Sequence, residues 1–202
     1  MFCVTLTGGI ASGKSAASSF FSQQGAAVID CDEISRTLTA SGGEAIPLIR
    51  KHFGDPFVDE MGAMDRAKMR SAVFFDDEAR LRLESLLHPL IMDRAQEMIR
   101  NLCNVPYALV VVPVLLEGSF WATSVQRILV IRCDPSLQRE RLLARGLSSE
   151  EIVAVLRIQE RFAWNHKCDD VIENNGKLES LEDAVKHYHQ RYCIAASTWE
   201  RK

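Results

Sequence analysis

The residues best equipped for chemistry stand near the start of the chain. Gly8-Gly9-Ile10-Ala11-Ser12-Gly13-Lys14-Ser15 has the spacing GxxxxGK(S/T). Glycines let a backbone turn tightly against an anion, so that successive N–H groups converge on it. A helix opening directly afterwards adds its positive end. In this setting Lys14 reaches the β- and γ-phosphates of a nucleoside triphosphate, and the Ser15 hydroxyl ligates Mg²⁺. The reading assigns Gly9, Ile10, Ala11, Ser12, Gly13, Lys14, Ser15 and Ala16 to the nucleotide. A glycine turn that merely caps a helix is the plainer alternative. The apolar run Cys3 to Leu6 before the motif, and Ala17, Phe20 and Phe21 after it, favour the phosphate loop.

Two further groups have suitable chemistry. Asp30 and Asp32 stand at the end of a second apolar run, at the strand edge where open α/β sheets bind ligands. A pair at i and i+2 could divide the work of general base and Mg²⁺ ligation. The alternative is a helix N-cap before Glu33-Ile34-Ser35-Arg36. Farther on, DPSLQRERLLAR places Arg141 and Arg145 four apart on one helical face, with Arg139 on another side. These arginines suit the charge of a transferring phosphoryl group. A solvated face paired with Glu140 is the bland reading.

Positioning such groups takes strands and helices in alternation. Cys3 to Leu6, Ala26 to Ile29, Tyr107 to Val112, Arg127 to Ile131 and Asp170 to Ile172 read as strands. Most are continuously apolar, as in a parallel sheet buried on both faces. Ile91, Ala95, Met98 and Leu102 recur at helical spacing, as do Leu178, Leu181, Val185, Tyr188, Tyr192 and Ala195. The last stripe predicts an amphipathic helix packed on the sheet. The pattern is that of an α/β layered fold. Two helical excursions interrupt it, residues 33–104, placed to cover an acceptor, and residues 134–168, rich in arginine. Residues 1–32, 105–133 and 169–202 remain as the nucleotide-binding core.

Composition narrows the function. The 202 residues are 47% hydrophobic and 25% charged, with net charge −3. This excludes wholesale disorder and predicts no broad nucleic-acid or membrane surface. The apolar run Ala108 to Leu116 is far below the roughly 20 residues of a membrane-spanning helix. The six cysteines form no CxxC pair, and the N-terminal residues lack the basic start of a secretory signal. The expectation is a reduced, cytoplasmic protein without structural zinc or disulfides.

Among phosphate-loop classes, a GTPase needs NKxD, whereas Asn165 to Asp169 is spaced NxKxD. A mechanical ATPase usually ends an apolar strand in Asp, whereas Leu109 to Val112 runs into Pro113. A small-molecule kinase fits best. A nucleotide-dependent switch is the alternative from another class.

The order of motifs sharpens this. TLTGGIASGKS, VIDCD, Phe53-Gly54, Gly62 with Arg66, HPLI, VPVLLE and CDDVIENNG together resemble the dephospho-coenzyme A kinase family over about residues 1–196. The resemblance implies a three-layer phosphate-loop kinase fold with a five-stranded parallel sheet, a helical acceptor-binding insertion and a helical lid. It implies transfer of the γ-phosphoryl of ATP to the ribose 3′-hydroxyl of dephospho-coenzyme A, with Mg²⁺. Another nucleoside or nucleotide kinase is the second reading. The chain is expected to be a monomer or weak homo-oligomer.

By carry-over Asp32 is the base, Lys14 and Arg141 join it in catalysis, and Arg145 joins Arg141 on ATP. Thr7 lies near the reacting phosphates. Thr7, Asp32, Arg66, His88 and Glu117 face the acceptor, and Pro89 is expected to begin a helix. Four features depart from the family pattern. Ala11 replaces a glycine, so that position needs a negative φ or carries strain. Ala16 replaces a threonine, and Cys31 an alanine. Residues 159–168 are about one residue short, leaving open whether Arg161 or Lys167 takes the basic role.

Overall fold

β1 (Cys3–Gly8) lies at the centre of a five-stranded sheet, ordered β2-β3-β1-β4-β5, in the computed structural model of the chain. The structure describes residues 1–113, 115, 119–161 and 168–199, without the side chains of 75 and 158–161. β2 (Ala27–Asp30), β3 (Ala108–Val111), β4 (Arg127–Arg132) and β5 (Asp170–Glu173) all run parallel to β1. Each falls on one of the five expected apolar runs. Such runs form strands because both faces of a parallel sheet are covered by helices and neither alternates with water.

The chain divides into two compact units, Met1–Asp30 with Leu102–Lys202, and Cys31–Asn101. The first contains the sheet. Its helices are α1 (Lys14–Gln23), α6 (Phe120–Thr123), α7 (Pro135–Ala144), α8 (Ser149–Arg161) and α9 (Leu178–Ser197). On one face Val4, Leu6, Leu109, Val111, Leu129 and Ile131 pack with Ala17 and Phe21 of α1. Leu181, Val185 and Tyr192 of α9 join the same core. The predicted α9 stripe is therefore the buried one, except that Leu178 at its start is 59% exposed. On the other face Thr5 donates to the Trp121 carbonyl of α6 at 2.8 Å.

The second unit is helical: α2 (Cys31–Leu38), α3 (Ile46–Phe53), a 3₁₀ turn at Asp55–Phe57, α4 (Arg66–Phe75) and α5 (Asp77–Arg100). Pro89 does not begin a helix; it lies inside α5. The cap is earlier, where Asp76 accepts from the backbone N–H groups of Glu78 and Ala79 at 2.8 and 3.0 Å. Proline removes one i→i−4 bond, here to the Ser85 carbonyl. Both Ser85 and Pro89 are exposed, so water can serve the orphaned oxygen. No helix among the described residues is long and apolar enough to cross a membrane.

α9 also carries a polar seam. Tyr192 donates to Asp170 at 3.0 Å, and Arg191 lies 3.1 Å from the same carboxylate. Nearby, His189 Nδ1 is 3.0 Å from the Tyr107 hydroxyl, and its Nε2 is 3.3 Å from Cys193 Sγ. Burial holds the His189 pKa below its ordinary 6.5 and pushes the Cys193 thiol up. As pH falls below 6.5, the unfolded chain takes up this proton before the folded one, so stability present above that pH is lost. Urea unfolding at pH 7.5 and 5.5 checks this. The wild type loses more stability on acidification than His189→Gln does; equal losses contradict the assignment.

Candidate active site

The sequence motif becomes a backbone cradle between β1 and α1. Gly8 closes β1 so tightly that a Cβ there would stand 2.4 Å from the Ile131 carbonyl oxygen of β4. Gly13 is the N-cap of α1 at φ 107, with no side-chain cap and no acidic residue in the first turn. The positive end of α1 is thus met by no acidic side chain of its own first turn. Lys14 Nζ donates to the Gly8 and Gly9 carbonyls at 2.7 and 3.0 Å. Ser15 is exposed on the first turn of α1.

Ala11 settles the alternative left open by the sequence: its φ is 55, in the left-handed region. For an alanine this costs roughly 1–2 kcal/mol. Its methyl is buried with Leu142, Ile152 and Leu156 of α7 and α8.

The carbonyls around Ala11 all have donors. Gln138 Nε2 reaches the Ile10 oxygen at 2.8 Å, and Asn174 Nδ2 reaches the Ser12 oxygen at 2.7 Å. Arg141 donates to the Ala11 oxygen at 3.2 Å and to the Asn174 oxygen at 3.1 Å. It also approaches Cys133 Sγ at 3.3 Å. Burial raises the Cys133 thiol pKa, against the opposing pull of Arg141. Arg145 is exposed at the C-cap of α7.

Thr7, buried on β1, has a hydroxyl with no hydrogen-bond partner, and so does buried Ser12. A buried hydroxyl without a partner is costly in a native site.

Gln138 and Asn174 were not singled out from the sequence. Asn174 lies in the VIENNG segment, which signalled its importance without its role. Gln138 stands three residues before Arg141 in a helix whose polar residues gave no hint of which would face the loop.

In the second unit, Asp32 follows Asp30, the last residue of β2, by two positions, and it stands in a helix rather than in the extended chain. α2 begins at Cys31, immediately after β2, and takes Asp32 into its exposed first turn. Asp32 is not the N-cap. An acid in the first turn is favoured by the helix dipole, which gives the alternative reading of this residue some physical content. Arg66 donates to Thr39 Oγ1 at 2.9 Å, and His88 is exposed on α5. A cleft of about 490 Å³ is lined by Glu33, Thr37, Ser41, Glu44, Arg94 and Met98, among others. Glu117 and Lys167 lie outside the described residues, as does the side chain of Arg161.

Comparison with known proteins follows the same lines. Residues 2–180 match the family model described as dephospho-CoA kinase. A dephospho-CoA kinase of Thiobacillus denitrificans is 43% identical over 199 residues, covering 98% of each chain. One from Nitrosospira multiformis is 41% identical, covering 97% of this chain and 98% of its own. A Thermus thermophilus protein of known crystal structure superposes with TM-score 0.75 at 27% identity, covering 98% of each chain.

The cradle makes one demand that a single methyl group tests. A Cβ on Gly13 would stand 2.2 Å from Asn174 Nδ2, at a φ that side chains rarely adopt. Gly13→Ala is expected to cost about 1–3 kcal/mol of stability through overpacking and to weaken ATP binding at least roughly tenfold. Thermal unfolding and ATP titration check it. An unchanged melting temperature and affinity would contradict the geometry.

Proposed function

The chain belongs to the dephospho-CoA kinase family, and on that premise we propose how its residues carry the reaction. It transfers the γ-phosphoryl of ATP to the ribose 3′-hydroxyl of dephospho-CoA, giving CoA and ADP in the last step of CoA biosynthesis. The observation that carries the residue assignment is the cradle itself, an uncapped helix start behind a loop whose carbonyls are tied to other donors.

Gly9 to Ala16 hold the ATP phosphates, and Lys14 turns its ammonium from the Gly8 and Gly9 carbonyls to the β- and γ-phosphates. Arg141 brings a second permanent charge beside the loop. Phosphoryl transfer is mostly positioning and charge stabilisation, so these groups lower the barrier without covalent chemistry. Asp32 accepts or orients the proton of the 3′-hydroxyl as general base. Its position in the sequence, two residues after the last residue of β2 and matching the VIDCD motif, supports this. Thr7 serves the reacting phosphates, and its buried, unpartnered hydroxyl supports a polar ligand there.

The unit Cys31–Asn101 receives the acceptor, with Arg66 and His88 on its surface and Glu117 assigned by resemblance alone. Residues 134–168 act as the lid that excludes water from the transfer. Arg145 is assigned to ATP as the second lid arginine.

Mg²⁺ suits the oxygen donors available. The Ser15 hydroxyl is accessible, and Mg²⁺ prefers a few protein oxygens completed by phosphates and water. Bound there through Ser15, it supplies neutralisation of phosphate charge. A cytoplasmic location rests on the cysteine usage of the sequence, six cysteines without a CxxC pair.

Asp32→Asn removes the base and leaves the loop intact. Its kcat is expected to fall by roughly 10²- to 10⁴-fold with KM for ATP little changed. Steady-state kinetics with dephospho-CoA as acceptor check this. Turnover within a few fold of wild type would take Asp32 out of the mechanism.

A further inference from the structure

Two buried side chains without charge each donate a hydrogen bond to the loop backbone. Gln138 and Asn174 are 5% and 6% exposed. They come from different elements, α7 and the exit of β5, and each donates its amide to one loop carbonyl. The two carbonyls, of Ile10 and Ser12, flank Ala11 on either side.

A peptide unit is planar, and its C=O and N–H point in opposite directions. The Ile10 carbonyl shares its plane with the Ala11 N–H, and the Ser12 carbonyl shares its plane with the Gly13 N–H. A donor that pulls either oxygen one way therefore turns the paired N–H the other way. The left-handed φ of Ala11 sits between these two planes, in a conformation that an alanine leaves when nothing holds it.

We propose that Gln138 and Asn174 are positioning residues, an amide clamp that holds Ala11 left-handed and so keeps the loop N–H groups aimed at the phosphates of ATP. The proposal rests on the reading of the loop as the ATP site. The buried Ala11 methyl, packed on Leu142, Ile152 and Leu156, supplies the third point of attachment. A glycine at this position has no preference to overcome, so the clamp is needed because the residue is alanine. Its loss lowers the fraction of chains with a binding-competent loop, and apparent affinity falls by that fraction. Saturating ATP pulls the loop back, so kcat is spared relative to kcat/KM.

The test is a double-mutant cycle read by ATP titration, with melting temperatures measured alongside. Gln138→Leu keeps the volume and deletes the donor. It is expected to weaken ATP binding about tenfold in the wild-type background, and by no more than about threefold relative to its parent in the Ala11→Gly background. Asn174→Ala, on another element and smaller than the native side chain, goes through the same cycle, so one misfolded variant does not end the test. Equal losses in both backgrounds, or no loss in either, overturn the clamp. A merely structural role would lower the melting temperature and leave the two changes additive. A wild-type chain that fails to bind ATP would instead overturn the reading of the loop.

Discussion

Everything in the first unit follows from one constraint on the peptide planes between Gly8 and Lys14. To bind phosphate with N–H groups, a loop must turn its carbonyls elsewhere, and those oxygens then need donors of their own. This chain supplies them from every side. Lys14 takes the Gly8 and Gly9 oxygens, Gln138 that of Ile10, Arg141 that of Ala11, and Asn174 that of Ser12. The loop is short, yet it recruits α7 and the end of β5 to complete its hydrogen bonding. The two aspects of Arg141, a charge beside the loop and a brace for its backbone, come from the same geometry.

The sheet makes this affordable. β1 is flanked by β3 and β4 and covered by α1 and α9, so the strand that launches the loop is among the most buried elements of the chain. Asp134 N–H bonds the Asn175 side chain at 2.8 Å, joining the exits of β4 and β5 just where Asn174 meets the loop. Packing energy collected on the α1–α9 face thus offsets the left-handed alanine and the close approaches of Gly8 and Gly13. The second unit is organised differently, by helix caps such as Asp65 and Asp76, and it begins directly where β2 ends.

Strands and the loop were legible in the sequence because their signals are local. Continuous apolar runs mark buried parallel strands, and fixed glycine spacing marks the cradle. Ala11 was legible as a dilemma, and the structure resolves it toward strain. Features that depend on distant partners were not legible. Gln138 and Asn174 donate to residues more than a hundred positions away, and no periodicity encodes that. Pro89 reads as a helix start by its own preference, but Asp76 caps the helix earlier and the lost bond falls on the wet side. Asp32 reads as a strand-exit acid, yet α2 starts one residue before it, so its direction is set by a helix rather than by a sheet.

As proposed, this cradle delivers the γ-phosphoryl of ATP to dephospho-CoA. ADP release from Mg-ATP, measured with and without dephospho-CoA and paired with the product mass, tests it most directly. The expected result is ADP that depends on acceptor, a product heavier by one phosphoryl group, and loss of both in Lys14→Ala. ADP formed equally without acceptor, or an acceptor of unchanged mass, would contradict it.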